Sequence, residues 1–150
     1  KNRAPDKVLK KGFVILRNWH PDRNACLSKD VTSLVRIIME VYSRYPSNID
    51  LHGQACGALW RLSTINADVK TSIRKSGGLE HVVKLLDINA TDDFLPTTAC
   101  GALCSLLSID KNRCSKIMSN HIETLAAVLT QGCYTSKPKE WALRALYNYS

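Results

Sequence analysis

A chain of 150 residues, 45% of them hydrophobic, is long enough to close a core of its own, and an aromatic share of 7% leaves aliphatic side chains to build it. No apolar run approaches the roughly 20 residues that a membrane-spanning helix needs, so no span is expected. The formal charge of +8 points to acidic peptides, nucleic acid or an anionic surface as partners, and it excludes none of the three. Most of the excess lies early, where Lys1, Arg3, Lys7, Lys10, Lys11, Arg17, Arg23, Lys29, Arg36 and Arg44 face only Asp6, Asp22, Asp30 and Glu40.

In chain order, Pro5-Asp6 opens a helix over 6–19 with Val8, Leu9, Phe13, Ile15, Leu16 and Trp19 as its apolar positions and Gly12 as its weak point. His20-Pro21-Asp22 breaks it, and Pro21 suits the start of a short helix to Leu27. Val31, Leu34, Val35, Ile38 and Val41 recur at helical spacing; this outweighs the strand tendency of their β-branched side chains. Tyr45-Pro46-Ser47-Asn48 is a loop, followed by a helix over Leu51–Thr64, a short helix over Asp68–Lys75, and a turn at Ser76-Gly77-Gly78. Gly77 is expected to supply a left-handed cap ahead of the helix Leu79–Leu86. Thr91-Asp92-Asp93 offers capping residues for a helix over Leu95–Ser108. A further short helix is expected from Asp110 to Ser119, then Ile122–Leu129, a stop at Gly132, and a last helix with Pro138 in its first turn.

One stretch returns. Ala55-Cys56-Gly57-Ala58-Leu59-Trp60-Arg61-Leu62 reappears as Ala99-Cys100-Gly101-Ala102-Leu103-Cys104-Ser105-Leu106 and, more weakly, as Ala142-Leu143-Arg144-Ala145-Leu146-Tyr147-Asn148-Tyr149. The copies start at residues 55, 99 and 142, and a period of roughly 40–47 residues with helices in each unit marks a helical repeat array. Within each copy the apolar residues fall at i, i+3, i+4 and i+7, one stripe on one helix face. Two of the four are alanine, which lets a neighbouring helix come close. The units run 1–27 (partial), 28–76, 77–119 and 120–150 (partial), together a single domain. The absent initiator Met and the stop within a helical pattern at Tyr149-Ser150 are read as an excerpt of a longer protein.

Cys56 and Cys100 occupy equivalent repeat positions, where cysteine acts as a small buried hydrophobe. Reduced thiols of that kind suit an intracellular setting, cytoplasmic or nuclear. Cys100 and Cys104, with Cys114 nearby, could be imagined around a metal, but no CxxC pair is present, and neither metal nor cofactor is expected. His20, His52, His81 and His121 lie near helix ends without a nucleophile motif, and no phosphate loop, HExxH or dinucleotide fingerprint is present. The expectation is therefore a non-enzyme with no catalytic residues and no small-molecule substrate.

The Ala-x-x-Ala-Leu-x-x-Leu helix, the short helix carrying Ile73 or Ile117, and the Gly-Gly-Leu79 or His121-Ile122 junction leading into Val82-Val83-Lys84-Leu85-Leu86 resemble the armadillo-repeat family over essentially the whole chain. HEAT repeats are its structural neighbour. The resemblance implies an all-α, right-handed alpha-solenoid whose third helices line a concave groove for an extended peptide. In importin-alpha-like members a Trp and an Asn four residues apart clamp the peptide backbone on each third helix. Here the Asn-equivalent positions are Asn18, Arg61, Ser105 and Asn148, and the Trp-equivalent positions are Val14, Gly57, Gly101 and Arg144. The ladder is broken, and a basic chain repels a basic nuclear-localisation peptide. Arg61 and Arg144 are more similar in charge to the beta-catenin type of groove, which takes acidic ligands.

The groove face expected from this register is Lys11, Val14 and Asn18; Gln54, Gly57 and Arg61; Thr98, Gly101 and Ser105; Trp141, Arg144 and Asn148. Its candidate peptide-binding residues are Lys11, Asn18, Gln54, Arg61, Ser105, Trp141, Arg144 and Asn148. The glycines would leave a shallow floor, Arg61 and Arg144 would pair with carboxylate or phosphate, and Asn18 and Asn148 would hold the main chain. Trp141 is the candidate anchor, whereas Trp60 is expected at the seam between units. The function implied is a protein-interaction scaffold for an acidic or phosphorylated peptide. Nucleic-acid binding by a basic HEAT-like surface and an architectural spacer are the alternatives.

Overall fold

The computed structural model describes residues 4–19, 28–88, 92–108, 122–132 and 134–149. Among the described residues there are eight helices and no strand: α1 (Ala4–Asn18), α2 (Ser28–Arg44), α3 (Ile49–Ser63), α4 (Ala67–Lys75), α5 (Gly78–Leu86), α6 (Phe94–Leu107), α7 (Ile122–Thr130) and α8 (Ser136–Tyr149). The short helices expected from Pro21 to Leu27 and from Asp110 to Ser119, the Asn120-His121 junction and Cys114 lie outside the described residues.

Local chemistry sets where these helices begin. Asn48 accepts the Leu51 N–H at 3.0 Å and Asn66 the Val69 N–H at 2.9 Å, each satisfying a donor that the first helical turn leaves unpaired. Asp92 accepts the Phe94 N–H at 2.9 Å. Pro96 and Pro138 fall in the first turns of α6 and α8, where a missing N–H costs nothing. In α2 the β-branched residues do form a helix: Val31, Val35, Ile38 and Val41 are buried, and the residues between them are mostly exposed.

The Gly-Gly junction between α4 and α5 has two separate causes. Gly77 sits just past the Ser76 C-cap at φ +78°, a left-handed conformation that other side chains resist. Gly78 is buried where a Cβ would lie 2.6 Å from the Ile73 side chain and 2.8 Å from the Ile73 carbonyl oxygen. One glycine answers to backbone sign, the other to lack of room.

The copies found in the sequence pack in succession. α3 lies between α1 and α6, and α6 between α3 and α8; α2, α5 and α7 run along α3, α6 and α8. Ala55, Ala58, Ala99, Ala102, Ala142 and Ala145 are all closed to solvent, as are Leu59 and Leu103. Side-chain hydrogen bonds tie each unit to the next at separations of 42 to 44 residues: Ser63 with Ser105, Arg61 with the Trp19 carbonyl, Thr135 N–H with Asp93, and Asn148 with the Cys104 carbonyl.

Burial on α3 goes well beyond the single stripe read from the sequence, since Gly53, Gln54, Gly57 and Ser63 are buried too. Helices press on α3 from both sides, and its small residues make that possible. Behind it, Tyr42, His52 and His81 of α2, α3 and α5 stack as one cluster, with Tyr42 and His81 ring centroids 3.7 Å apart.

Candidate functional site: an arginine-flanked aromatic slot

The row α1, α3, α6, α8 carries an open pocket of about 700 Å³ lined by Arg17, Gly57, Trp60, Arg61, Thr64, Phe94, Thr97, Thr98 and Trp141. Side chains from all four helices of the row meet there. Its shape depends on where two glycines sit. At Gly101 a Cβ would come within 2.6–2.7 Å of three atoms of the Trp60 ring, so the missing side chain is the seat of that indole. Trp60 meets Trp141 edge to face, centroids 4.8 Å apart, a favoured aromatic geometry. At Gly57 a Cβ would lie 2.9 Å from Arg17 Cδ and 3.4 Å from the Thr98 methyl. The expected shallow glycine floor is therefore filled, by Arg17 from one side and Trp60 from the other.

Both pocket arginines are held in place by neutral acceptors. Arg17 Nη1 donates to Gln54 Oε1 at 3.1 Å, and its guanidinium lies 5.2 Å from the centre of the Phe94 ring. Arg61 Nε donates to the Trp19 carbonyl at 2.6 Å and its Nη1 to Thr64 Oγ1 at 3.3 Å. Neither has a carboxylate partner among the described residues. Two positive charges thus border an apolar slot, each with more donors than its partners among the described residues take up, because a guanidinium carries five N–H groups.

The eight expected groove residues take different parts. Arg61 and Trp141 line the slot together. Gln54 is buried and holds Arg17. Ser105 shares a 2.8 Å hydrogen bond with Ser63. Asn148 donates its amide to the Cys104 carbonyl at 2.9 Å, so it joins two helices of the row. Arg144 pairs with Glu140 at 2.8 Å on its own helix and covers the Trp141 ring at 4.8 Å. Asn18 is exposed near the end of α1. Lys11 lies apart, in a depression with Lys7, Lys10, Val14 and Ile15. Sequence reasoning did not place Arg17, Phe94, Thr64 and Thr97 at the site. The available signal was the pairing of a glycine in one unit with a bulky side chain in the unit before it.

The cysteines near the row are chemically quiet. Cys56 and Cys100 are buried as free thiols, and burial pushes both up to about 12. Among the described residues, no group of three or more His, Cys, Asp or Glu side chains could hold a metal ion. No described helix is long and apolar enough to cross a membrane.

No family model matches the chain, and no curated protein does. Solved structures do. The crystal structure of an engineered protein from the Northeast Structural Genomics Consortium superposes with a TM-score of 0.73 at 22% identity, over 99% of this chain and 58% of that one. A second engineered protein from the same consortium gives 0.70 at 20% identity, again over 99% and 58%. The chain therefore shares a fold with these proteins and spans a little over half their length.

Proposed function

We propose that the chain is a protein-interaction module of the armadillo-repeat kind, whose row of four long helices binds an extended acidic or phosphorylated segment. One juxtaposition carries this reading: Arg17 and Arg61, without carboxylate partners among the described residues, border a slot walled by Trp60, Trp141 and Phe94. An apolar side chain of the segment fills the slot, and its flanking carboxylates or phosphate meet the guanidinium groups. Electrostatics sets the encounter rate and partner choice, and the anchored side chain sets how long the segment stays.

The test is a fluorescence-anisotropy titration of a labelled peptide carrying one Phe or Leu among Glu residues. Hydrogen bonds to charged groups contribute about 1.5–3 kcal/mol, so Arg61→Glu should weaken binding by roughly tenfold or more. Trp141→Ala should weaken it without changing the charge. Unaltered affinity in both variants overturns the proposal.

A second reading rests on the same parts, because single-stranded nucleic acid stacks its bases on aromatic rings beside arginine. Oligonucleotide binding that competes with the peptide and falls steeply with salt would favour it.

A further inference from the structure

Within the slot the charges and the rings form one continuous surface, and α3 sets its layout. Gly53, Gly57 and Arg61 follow one another at intervals of four residues on one face of α3. The Phe94 ring lies against Gly53, 3.1 Å from where a Cβ would be, and the Arg17 side chain lies against Gly57. Arg17 in turn covers Phe94, with its guanidinium 5.2 Å from the ring centre. Arg61 continues the same row one turn further on and lines the same pocket as Trp60 and Trp141. All five of these side chains, Arg17, Trp60, Arg61, Phe94 and Trp141, are half-buried, so rings and guanidinium groups are open to a ligand together.

A ligand for such a surface has to bring an apolar ring and negative charge to one place. In an extended segment successive side chains point to opposite sides, and residues two apart on the same side are about 6.6 Å from each other. A carboxylate from a nearby residue therefore arrives on a second side chain, set apart from the ring. Phosphotyrosine carries both on one side chain, its phosphate joined to the ring through a single oxygen. Its phosphate charge of about −1.5 to −2 at pH 7 also matches two guanidinium groups better than the single charge of a carboxylate does. Arg17 and Arg61 are held by neutral acceptors and have no carboxylate partner among the described residues, so a phosphate breaks no described ion pair there. Resting on the reading that the row of long helices binds an extended segment, we propose that the residue seated in the slot is a phosphotyrosine. Its ring packs among Trp60, Trp141 and Phe94, and its phosphate accepts charge-assisted hydrogen bonds from Arg17 and Arg61.

The experiment uses the whole chain and fluorescein-labelled peptides of one Gly-, Ser- and Ala-rich sequence with Tyr, phosphotyrosine or phosphoserine at the centre. The acidic Phe peptide and a labelled single-stranded oligonucleotide serve as comparators. On the unaltered protein the phosphotyrosine peptide should bind roughly tenfold or more tightly than the Tyr peptide, which lacks the charge, and than the phosphoserine peptide, which lacks the ring. Arg61→Gln should cut the preference for phosphotyrosine over Tyr by roughly fivefold or more, and Trp141→Ala should cut the preference for phosphotyrosine over phosphoserine. Equal affinity for the Tyr and phosphotyrosine peptides, or for the phosphoserine and phosphotyrosine peptides, overturns the proposal. If the acidic Phe peptide then still binds and weakens in Arg61→Glu, the row remains a peptide site and only the phosphotyrosine assignment falls. If no peptide binds, both fall. Tighter binding of the oligonucleotide than of the phosphotyrosine peptide would assign the slot to nucleic acid and likewise overturn the proposal.

Discussion

Replacing either of two glycines by alanine separates helix propensity from packing. Gly12 lies inside α1 with nothing within 4 Å of where a Cβ would be, while at Gly101 that atom would meet the Trp60 ring at 2.6–2.7 Å. Alanine is about 1 kcal/mol better than glycine in a helix interior, and this gain applies to both substitutions. Gly12→Ala should therefore stabilise by about that amount. At Gly101 the gain is offset by an overpacking cost of about 1–3 kcal/mol, because Trp60 is a rigid ring already set against Trp141. The gap between the two variants isolates the clash. For a chain of this size it corresponds to roughly 2–12 °C in melting midpoint, read by circular dichroism. Tryptophan emission should also change in Gly101→Ala as Trp60 is displaced. In a Trp60→Leu background the penalty at Gly101 should largely vanish, a coupling that a double-mutant cycle measures. Equal midpoints for Gly12→Ala and Gly101→Ala, with unchanged emission, would refute the account of the slot.

Other consequences follow from the same packing. Gly77→Ala should destabilise by about 1–2 kcal/mol in thermal or urea unfolding, since alanine must adopt the φ of +78°. Burial lowers His81 to about 4, with His52 and Lys84 adding repulsion, and burial also lowers His52. Because the folded state favours the neutral rings, stability is fully present above the unfolded value of about 6.5 and falls as pH drops toward 4. Denaturation midpoints measured across that window should show the loss, and His81→Phe should flatten it. Cys56 and Cys100 should resist alkylation in the native protein, with labelling mapped by mass spectrometry, because only the thiolate reacts and burial disfavours it.

Much of the architecture was legible because helical repeats write their packing into spacing. Ala55, Ala58, Leu59 and Leu62 recur as Ala99, Ala102, Leu103 and Leu106, and all eight are fully buried. Asn48 and Asn66, Asp92 and the Gly77-Gly78 pair mark helix ends by local chemistry, which needs no knowledge of the rest of the chain. The site was less legible, because its members are set by what faces them across a helix pair. Gly57 and Gly101 read as a bare floor, yet they seat Arg17 and Trp60. Gln54 and Asn148 read as amides facing a ligand, yet Gln54 holds Arg17 and Asn148 holds the Cys104 carbonyl. A periodic pattern gives the face of one helix; it does not say how far a neighbour's long side chain reaches across.

The most direct test of the proposed interaction is a two-dimensional NMR titration of the indole N–H signals of Trp19, Trp60 and Trp141 with the acidic, aromatic-anchored peptide. The account predicts that the Trp60 and Trp141 signals move together and saturate with the affinity found by anisotropy, and that in Arg61→Glu both shifts need roughly tenfold more peptide or beyond to reach the same extent. Saturable peptide binding that leaves the Trp60 and Trp141 signals in place would contradict it.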